Sequence, residues 1–336
     1  MDFYDIYGFI FGVDGPARDR FREEYGRFAI TSRSANIDLL IMEYKGGKSL
    51  PIHPKGERWG LKLPTSKLDK TMIYNTRLNP NFVLAMFEGY LTWPDKVLLH
   101  AGAVARGNEA LVFTGGGNVG KTSLVLQALR REYEYLSDDW LIIGDGIAYP
   151  LPKRVRVFDY NLIHDKKVRQ MVLGTSAWLK SPLINAHYRI RRFLTRIAPH
   201  PYFKRALGVL RPIYRVDIEK LIPGTQIGDA SKIKTILYLE RSDVASVAVK
   251  GISPQLLAIK MTAINFFERS YFFQQYFLAS FLNGADDKIQ IGKRLAREKK
   301  IMQDTFNNTS VYHIQIPNRM SPEVLWDILV KEGLLK

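Results

Sequence analysis

The rhythm of hydrophobic and polar positions changes several times along the chain of 336 residues. Residues 97–105 read Val-Leu-Leu-His-Ala-Gly-Ala-Val-Ala, an almost unbroken apolar run that predicts a buried strand. Arg106-Gly107-Asn108-Glu109 then predicts a turn, and residues 110–114 a returning strand. A glycine-rich stretch follows, and a helix is predicted from Lys121 to about Arg131. Residues 133–136 read as a short strand ending in Ser137-Asp138-Asp139. Residues 140–143 and 147–149, separated by Gly144-Asp145-Gly146, read as a hairpin. Later come a buried-type strand at 235–240, a long apolar and aromatic helical region at 254–283, and a strand at 311–316. Ser321-Pro322-Glu323 has the chemistry of a helix start.

Before residue 97 the pattern is mixed. Residues 37–44 read as a strand stopped by Gly46-Gly47, and Asn79-Pro80 opens a helix through Phe82, Leu84, Met86 and Tyr90. Two domains are therefore expected: a small α+β domain over 1–95 and a larger α/β domain over 96–336. Residues 176–220 read as helical and basic. Arg189, Arg192 and Arg196 share one helical face, and Ile190, Phe193, Leu194 and Ile197 form an apolar stripe. Pro182, Pro199, Pro201 and Pro212 are expected to cut this region into short pieces.

Composition narrows the class. Hydrophobic residues make up 46% and charged residues 24%, which suits a folded protein. The absence of cysteine excludes disulfides, thiol nucleophiles and cysteine-ligated metals. No apolar run is long enough to span a bilayer, and Asp2 and Asp5 stand where an export signal carries basic residues, so a cytoplasmic location is expected. The net charge is +16, and residues 151–220 hold sixteen Lys and Arg against four Asp and Glu. Such a field attracts phosphorylated substrates, nucleic acid or an acidic membrane surface; it also suits a merely solvated basic face.

Three sets of residues carry chemistry. Residues 115–122, Gly-Gly-Gly-Asn-Val-Gly-Lys-Thr, fit the phosphate-loop pattern G-x-x-x-x-G-K-[ST] between a strand and a helix. Gly115, Gly116, Gly117 and Gly120 let the backbone approach phosphates, and the amides of Asn118, Val119 and Ser123 complete an anion nest at a helix N-terminus. Lys121 can reach the β- and γ-phosphates of ATP, and the Thr122 hydroxyl can ligate Mg²⁺. Asp138 and Asp139 follow 17 residues after Lys121, close enough to hold a metal or to accept a proton from an attacking hydroxyl. His100 lies on the strand paired with the one leading into the loop, where a histidine is either structural or beside transferred charge.

These pieces together resemble the catalytic domain of HPr kinase/phosphorylase and its related kinases: residues 99–104, 111–122 and 135–139, in that order and spacing. The match covers about residues 97–152, and a weaker likeness continues to 234–241 and the C-terminal strand and helix. The resemblance implies a phosphoenolpyruvate-carboxykinase-like fold with a mixed sheet and use of ATP and Mg²⁺. It implies Asp138 as base, Asp139 as metal-side acid, His100 in the site, and assembly into a homo-oligomer. The family's glutamate-arginine-glycine stretch and its later arginine- and glycine-rich signature are absent. Asp159 stands near where the glutamate would act as metal ligand. Phosphorolysis and HPr as substrate therefore do not carry over, and residues 160–230 read as an insertion. The expected activity is phosphoryl transfer from ATP to a hydroxyl of an anionic protein, peptide or small molecule. The alternative is a nucleotide-dependent nucleic-acid enzyme or binder, its contacts supplied by the basic residues of 151–220 and by Tyr188, Phe193, Tyr202, Phe203 and Tyr214.

Overall fold

A computed structural model describes residues 1–31, 37, 39–43, 61–62, 71–74, 95–197, 213–270, 273, 291–318 and 320–335. The helix expected from Asn79, the prolines at 199, 201 and 212, and the end of the apolar region near 283 lie outside these residues.

The N-terminal part builds a six-stranded sheet. Its strands are β1 (Asp2–Ile6), β2 (Phe9–Asp14), β3 (Ala29–Ile30), β4 (Leu39–Glu43), β5 (Leu61–Lys62) and β6 (Thr71–Tyr74), in the spatial order β3-β1-β2-β4-β6-β5. Helix α1 (Arg18–Tyr25) presents Phe21 and Tyr25 to Phe11, which stacks on Tyr4 at 5.0 Å. The Tyr7 hydroxyl donates to the Pro150 carbonyl at 2.7 Å, and Arg154 reaches Glu23 at 3.0 Å, so this part touches the rest of the chain directly.

The second sheet has nine strands. They are β7 (Val97–Leu99), β8 (Ala101–Arg106), β9 (Glu109–Gly115), β10 (Glu134–Ser137), β11 (Leu141–Gly144), β12 (Ile147–Tyr149), β15 (Ser231–Ser242), β16 (Ala248–Gly251) and β17 (Ser310–Pro317). A separate two-stranded sheet pairs β13 (Val155–Phe158) with β14 (Ile213–Val216). The long β15 lies between β9 and β17 and is parallel to both, whereas β8 and β9 form an antiparallel hairpin. The molecule is thus a mixed α/β protein with a mixed central sheet.

The apolar runs of β8, β9 and β15 are buried on both faces, as helices on both sides require. Leu111, Phe113, Leu237 and Leu239 pack into one core with α2 (Lys121–Leu129) and α9 (Pro322–Lys331). Ala110, Val112, Ile236 and Tyr238 point the other way, toward α7 (Pro254–Glu268) and α8 (Ile291–Asn307). Between β13 and β14 run α3 (Asp159–His164), α4 (Lys166–Leu173) and α5 (Ala177–Ile197); α6 (Ile218–Leu221) follows. No helix among the described residues is long and apolar enough to cross a membrane.

Three local expectations are corrected. The run 97–105 is not one strand: it breaks at His100, with β7 pairing to β11 and β8 to β9 and β10. Helix α5 continues through Pro182. A proline there removes a single N–H···O bond, and the Ser181 hydroxyl bonds to the Ala177 carbonyl in the same turn. Residues 213–216 are strand rather than helix, because β13 offers a free edge to Ile213, Tyr214, Arg215 and Val216.

The end of α7 is fixed by buried charge. Arg269 donates to both Glu298 oxygens at 3.1 and 2.6 Å and through Nε to the Asn265 carbonyl, while Arg294 Nε reaches Glu298 at 3.0 Å. Removing the shared carboxylate leaves two buried guanidiniums without it. Glu298→Ala is therefore expected to destabilise the fold by about 3–5 kcal/mol, read as a lowered urea midpoint.

Candidate functional site

The loop after β9 meets the sheet at its closest packing. Gly115 has φ 142°, and a Cβ there would stand 2.4 Å from the Leu239 carbonyl oxygen, so only glycine fits. Gly102 is needed for another reason: its Cβ would lie 2.7 Å from Val125 Cγ2, where β8 passes under α2. Asn118 and Gly120 adopt left-handed φ of 61° and 116°. Left-handed residues of this kind are what lets a loop's backbone N–H groups converge on an anion. Gly120 is the N-cap of α2 and supplies no side-chain cap, which leaves first-turn amides for a ligand.

Lys121, the first residue of α2, is buried. Its ammonium donates to the Gly116 carbonyl at 2.7 Å, the Gly115 carbonyl at 3.0 Å and His100 Nε2 at 2.9 Å. Burial pulls its pKa down to about 8, although Asp139, Asp138 and Glu268 hold it up in part.

His100 occupies the break between β7 and β8. Asn265 of α7 satisfies that break: its Oδ1 accepts from the His100 N–H at 2.9 Å, and its Nδ2 donates to the Leu98 carbonyl at 2.7 Å. The Thr114 hydroxyl donates to the His100 carbonyl at 3.0 Å, and Trp140 packs edge-on to the ring at 5.3 Å. Burial, reinforced by the Lys121 charge, lowers the imidazole pKa to about 3, so the ring is neutral. Because Nε2 accepts from Lys121, the ring proton belongs on Nδ1, which faces Asp139 Oδ1 at 3.8 Å.

The two aspartates have different neighbours. Asp138 is buried and accepts from the Thr122 hydroxyl at 2.9 and 3.1 Å. Burial, then the adjacent Asp139 charge, raises its pKa to about 6. Asp139 has φ 81° and turns away, toward Arg156 at 3.4 Å and His100. Burial would raise its pKa, but Arg156 and then Lys153 outweigh it and hold the group ionised below the usual carboxylate value.

The structure thus brings Lys121, Thr122, His100, Asp138 and Asp139 into one cluster at the loop. It sets Asp138, rather than Asp139, against the Thr122 hydroxyl. Asp159 is fully buried as the first residue of α3, where an acid suits the helix dipole. Among the described residues, no three His, Cys, Asp or Glu side chains form a group that could hold a metal.

The sequence pattern does not single out several of the residues around the loop. Glu268, the last residue of α7, places Oε1 3.8 Å from His100 Nε2 and 3.5 Å from where a Gly117 Cβ would stand. Burial raises its pKa. Arg241 NH2 stands 3.8 Å from the corresponding point on Gly120, while its NH1 donates to the Pro317 carbonyl at 3.0 Å. Arg156, Lys153 and Asn265 complete the surround. Asn265, among the largely apolar residues 256–267, is the one cue the sequence holds for them.

The fold is that of a mixed α/β protein in which a glycine-rich loop, a lysine, a histidine and two aspartates meet. No family model matches the chain, and no curated protein matches it. Among solved structures it is similar to the Hpr(Ser) kinase/phosphatase from Coxiella burnetii, at 10% identity over 71% of this chain and 91% of that one, with a TM-score of 0.29.

Proposed function

We propose that the chain is an ATP- and Mg²⁺-dependent kinase that transfers the γ-phosphoryl group to a hydroxyl of an anionic acceptor. One observation carries the reading. At the uncapped N-terminus of α2, a buried lysine and a buried carboxylate of raised pKa are held on opposite arms of one short segment, Lys121 on His100 and Asp138 on Thr122.

The donor set fits the group expected there. The Thr122 hydroxyl, at the start of α2, donates its proton to Asp138 and keeps its oxygen lone pairs for Mg²⁺, which relies on phosphate and water for most of its shell. Thr122 would hold the ion, as expected of it; Asp139 and Asp159 complete the expected set, Asp139 standing on Arg156 and Asp159 at the start of α3. When bound, the ion neutralises charge on the phosphates.

The chain's own residues do the rest. The loop amides and Lys121 bind the phosphates and fix their position. Asp138, poised near neutral pH, accepts the proton of the acceptor hydroxyl as the new P–O bond forms and the bond to the leaving diphosphate breaks. Asp139 stays ionised on Arg156, and Nε2 of the neutral His100 ring holds the Lys121 ammonium. Residues 151–220, with sixteen Lys and Arg against four Asp and Glu, carry a positive field, which favours an acceptor that is itself negative. The resemblance to HPr kinase in residues 97–152 supports the same chemistry.

Labelled ATP incubated with protein, peptide and metabolite pools tests the reading. Transfer to an acceptor by the wild type, absent with Lys121→Ala, supports it; no transfer from any pool contradicts it.

The pKa values set a pH profile. The base form of Asp138 dominates above about 6, and the cationic form of Lys121 dominates below about 8. A plot of kcat/KM against pH is therefore expected to be bell-shaped, rising near 6 and falling near 8, since this ratio reports the free enzyme. A profile flat from pH 5 to pH 9 contradicts both assignments.

A further inference from the structure

Helix α5 leaves an apolar face in solvent. Leu183 is 71% exposed, Ile190 59% and Phe193 62%. Together with exposed Ala186 they fall within an arc of about 80° at 3.6 residues per turn. Ile184, on the opposite side of the helix, is buried in the core. Exposed apolar residues of this size on one stripe are unusual for a solvated helix face.

The charges around the stripe say what would cover it. Lys180 and Arg189 flank it on either side, and both are exposed. On α4, exposed Lys166 and Lys167 stand beside exposed Met171. From residue 166 to residue 216 the sequence contains twelve Lys and Arg and no Asp or Glu. A solvated face of a globular protein mixes both signs. An acid-free basic segment with protruding aliphatic side chains has the composition of a helix that lies in the boundary layer of a bilayer.

We infer that α5, with the basic start of α4, is a docking surface for an anionic lipid bilayer. Its apolar stripe enters the headgroup boundary and its flanking cations meet lipid phosphates. Nucleic acid is the weaker fit, because the stripe is mainly aliphatic: Leu183, Ala186 and Ile190 offer no face on which a base can stack, and Phe193 alone offers one. The surface lies outside the phosphate-loop cluster, so the inference stands apart from the kinase reading.

Co-sedimentation of the full chain with vesicles tests it, using phosphatidylglycerol mixed with phosphatidylcholine against phosphatidylcholine alone. Binding to the anionic vesicles only, weakened by added salt, is expected. Ile190→Asp combined with Phe193→Asp is expected to lower partitioning at least about tenfold. Lys166→Ala, Lys167→Ala and Lys180→Ala together are expected to lower it roughly a hundredfold. All five positions are exposed, so an unchanged urea midpoint shows that the fold is intact. No binding to anionic vesicles overturns the inference. So does binding that the Asp double variant leaves unchanged, which marks a general polyanion surface, and so does single-stranded RNA bound more tightly than the vesicles.

Discussion

Asp138→Asn is expected to slow phosphoryl transfer by about 10²–10⁴-fold while nucleotide still binds. The amide keeps the size of the carboxylate and can still accept from the Thr122 hydroxyl, so the loop is not disturbed. What it loses is the capacity to take a proton. The carboxylate is suited to that task because burial and the neighbouring Asp139 charge raise its pKa to about 6, where it is mostly ionised at neutral pH yet basic enough to accept. The variant should also lose the rising limb of the pH profile. Rapid-quench measurement of transfer, alongside titration of nucleotide binding, separates the two quantities. Transfer at near wild-type rate would remove Asp138 from the chemistry.

Lys121→Ala has the second large effect, and it falls on binding first. The ammonium is buried and already oriented by the Gly115 and Gly116 carbonyls and by His100, so it meets a phosphate with little reorganisation. Loss of one partner in a buried hydrogen-bonded charge pair costs about 2–5 kcal/mol. Nucleotide affinity should therefore fall roughly thirtyfold or more. A second signature separates this from simple damage. The Lys121 charge is part of what depresses the His100 pKa, so the imidazole pKa should rise in the variant. NMR titration of the ring measures it. Unchanged nucleotide affinity would remove Lys121 from the phosphate site.

How much of this was legible in the sequence depends on distance along the chain. The glycine-rich loop between a strand and a helix was, because its eight residues are consecutive and the structure sets them between β9 and α2. The hairpin strand leading into it was also legible, since both faces of the central sheet are covered and residues 110–113 are accordingly apolar. The break at His100 was not. A histidine in an apolar run looks like one more strand residue, and the group that satisfies the break, Asn265, lies 165 positions away. The different settings of Asp138 and Asp139 were hidden for the same reason. Adjacent aspartates are equivalent in sequence; the left-handed φ of Asp139 and the partners Thr122 and Arg156 distinguish them. The basic region was legible as charge. Its strand at 213–216 was not, because the edge it pairs with belongs to residues 155–158.

The central claim is that this loop and Asp138 move a phosphoryl group from ATP to a hydroxyl. The chemical form in which γ-label leaves ATP tests it most directly. Label recovered as an acid-stable phosphate ester on an acceptor, and lost with Asp138→Asn, is the expected result. Label recovered only as inorganic phosphate, or retained on ATP that is nonetheless bound, would contradict it.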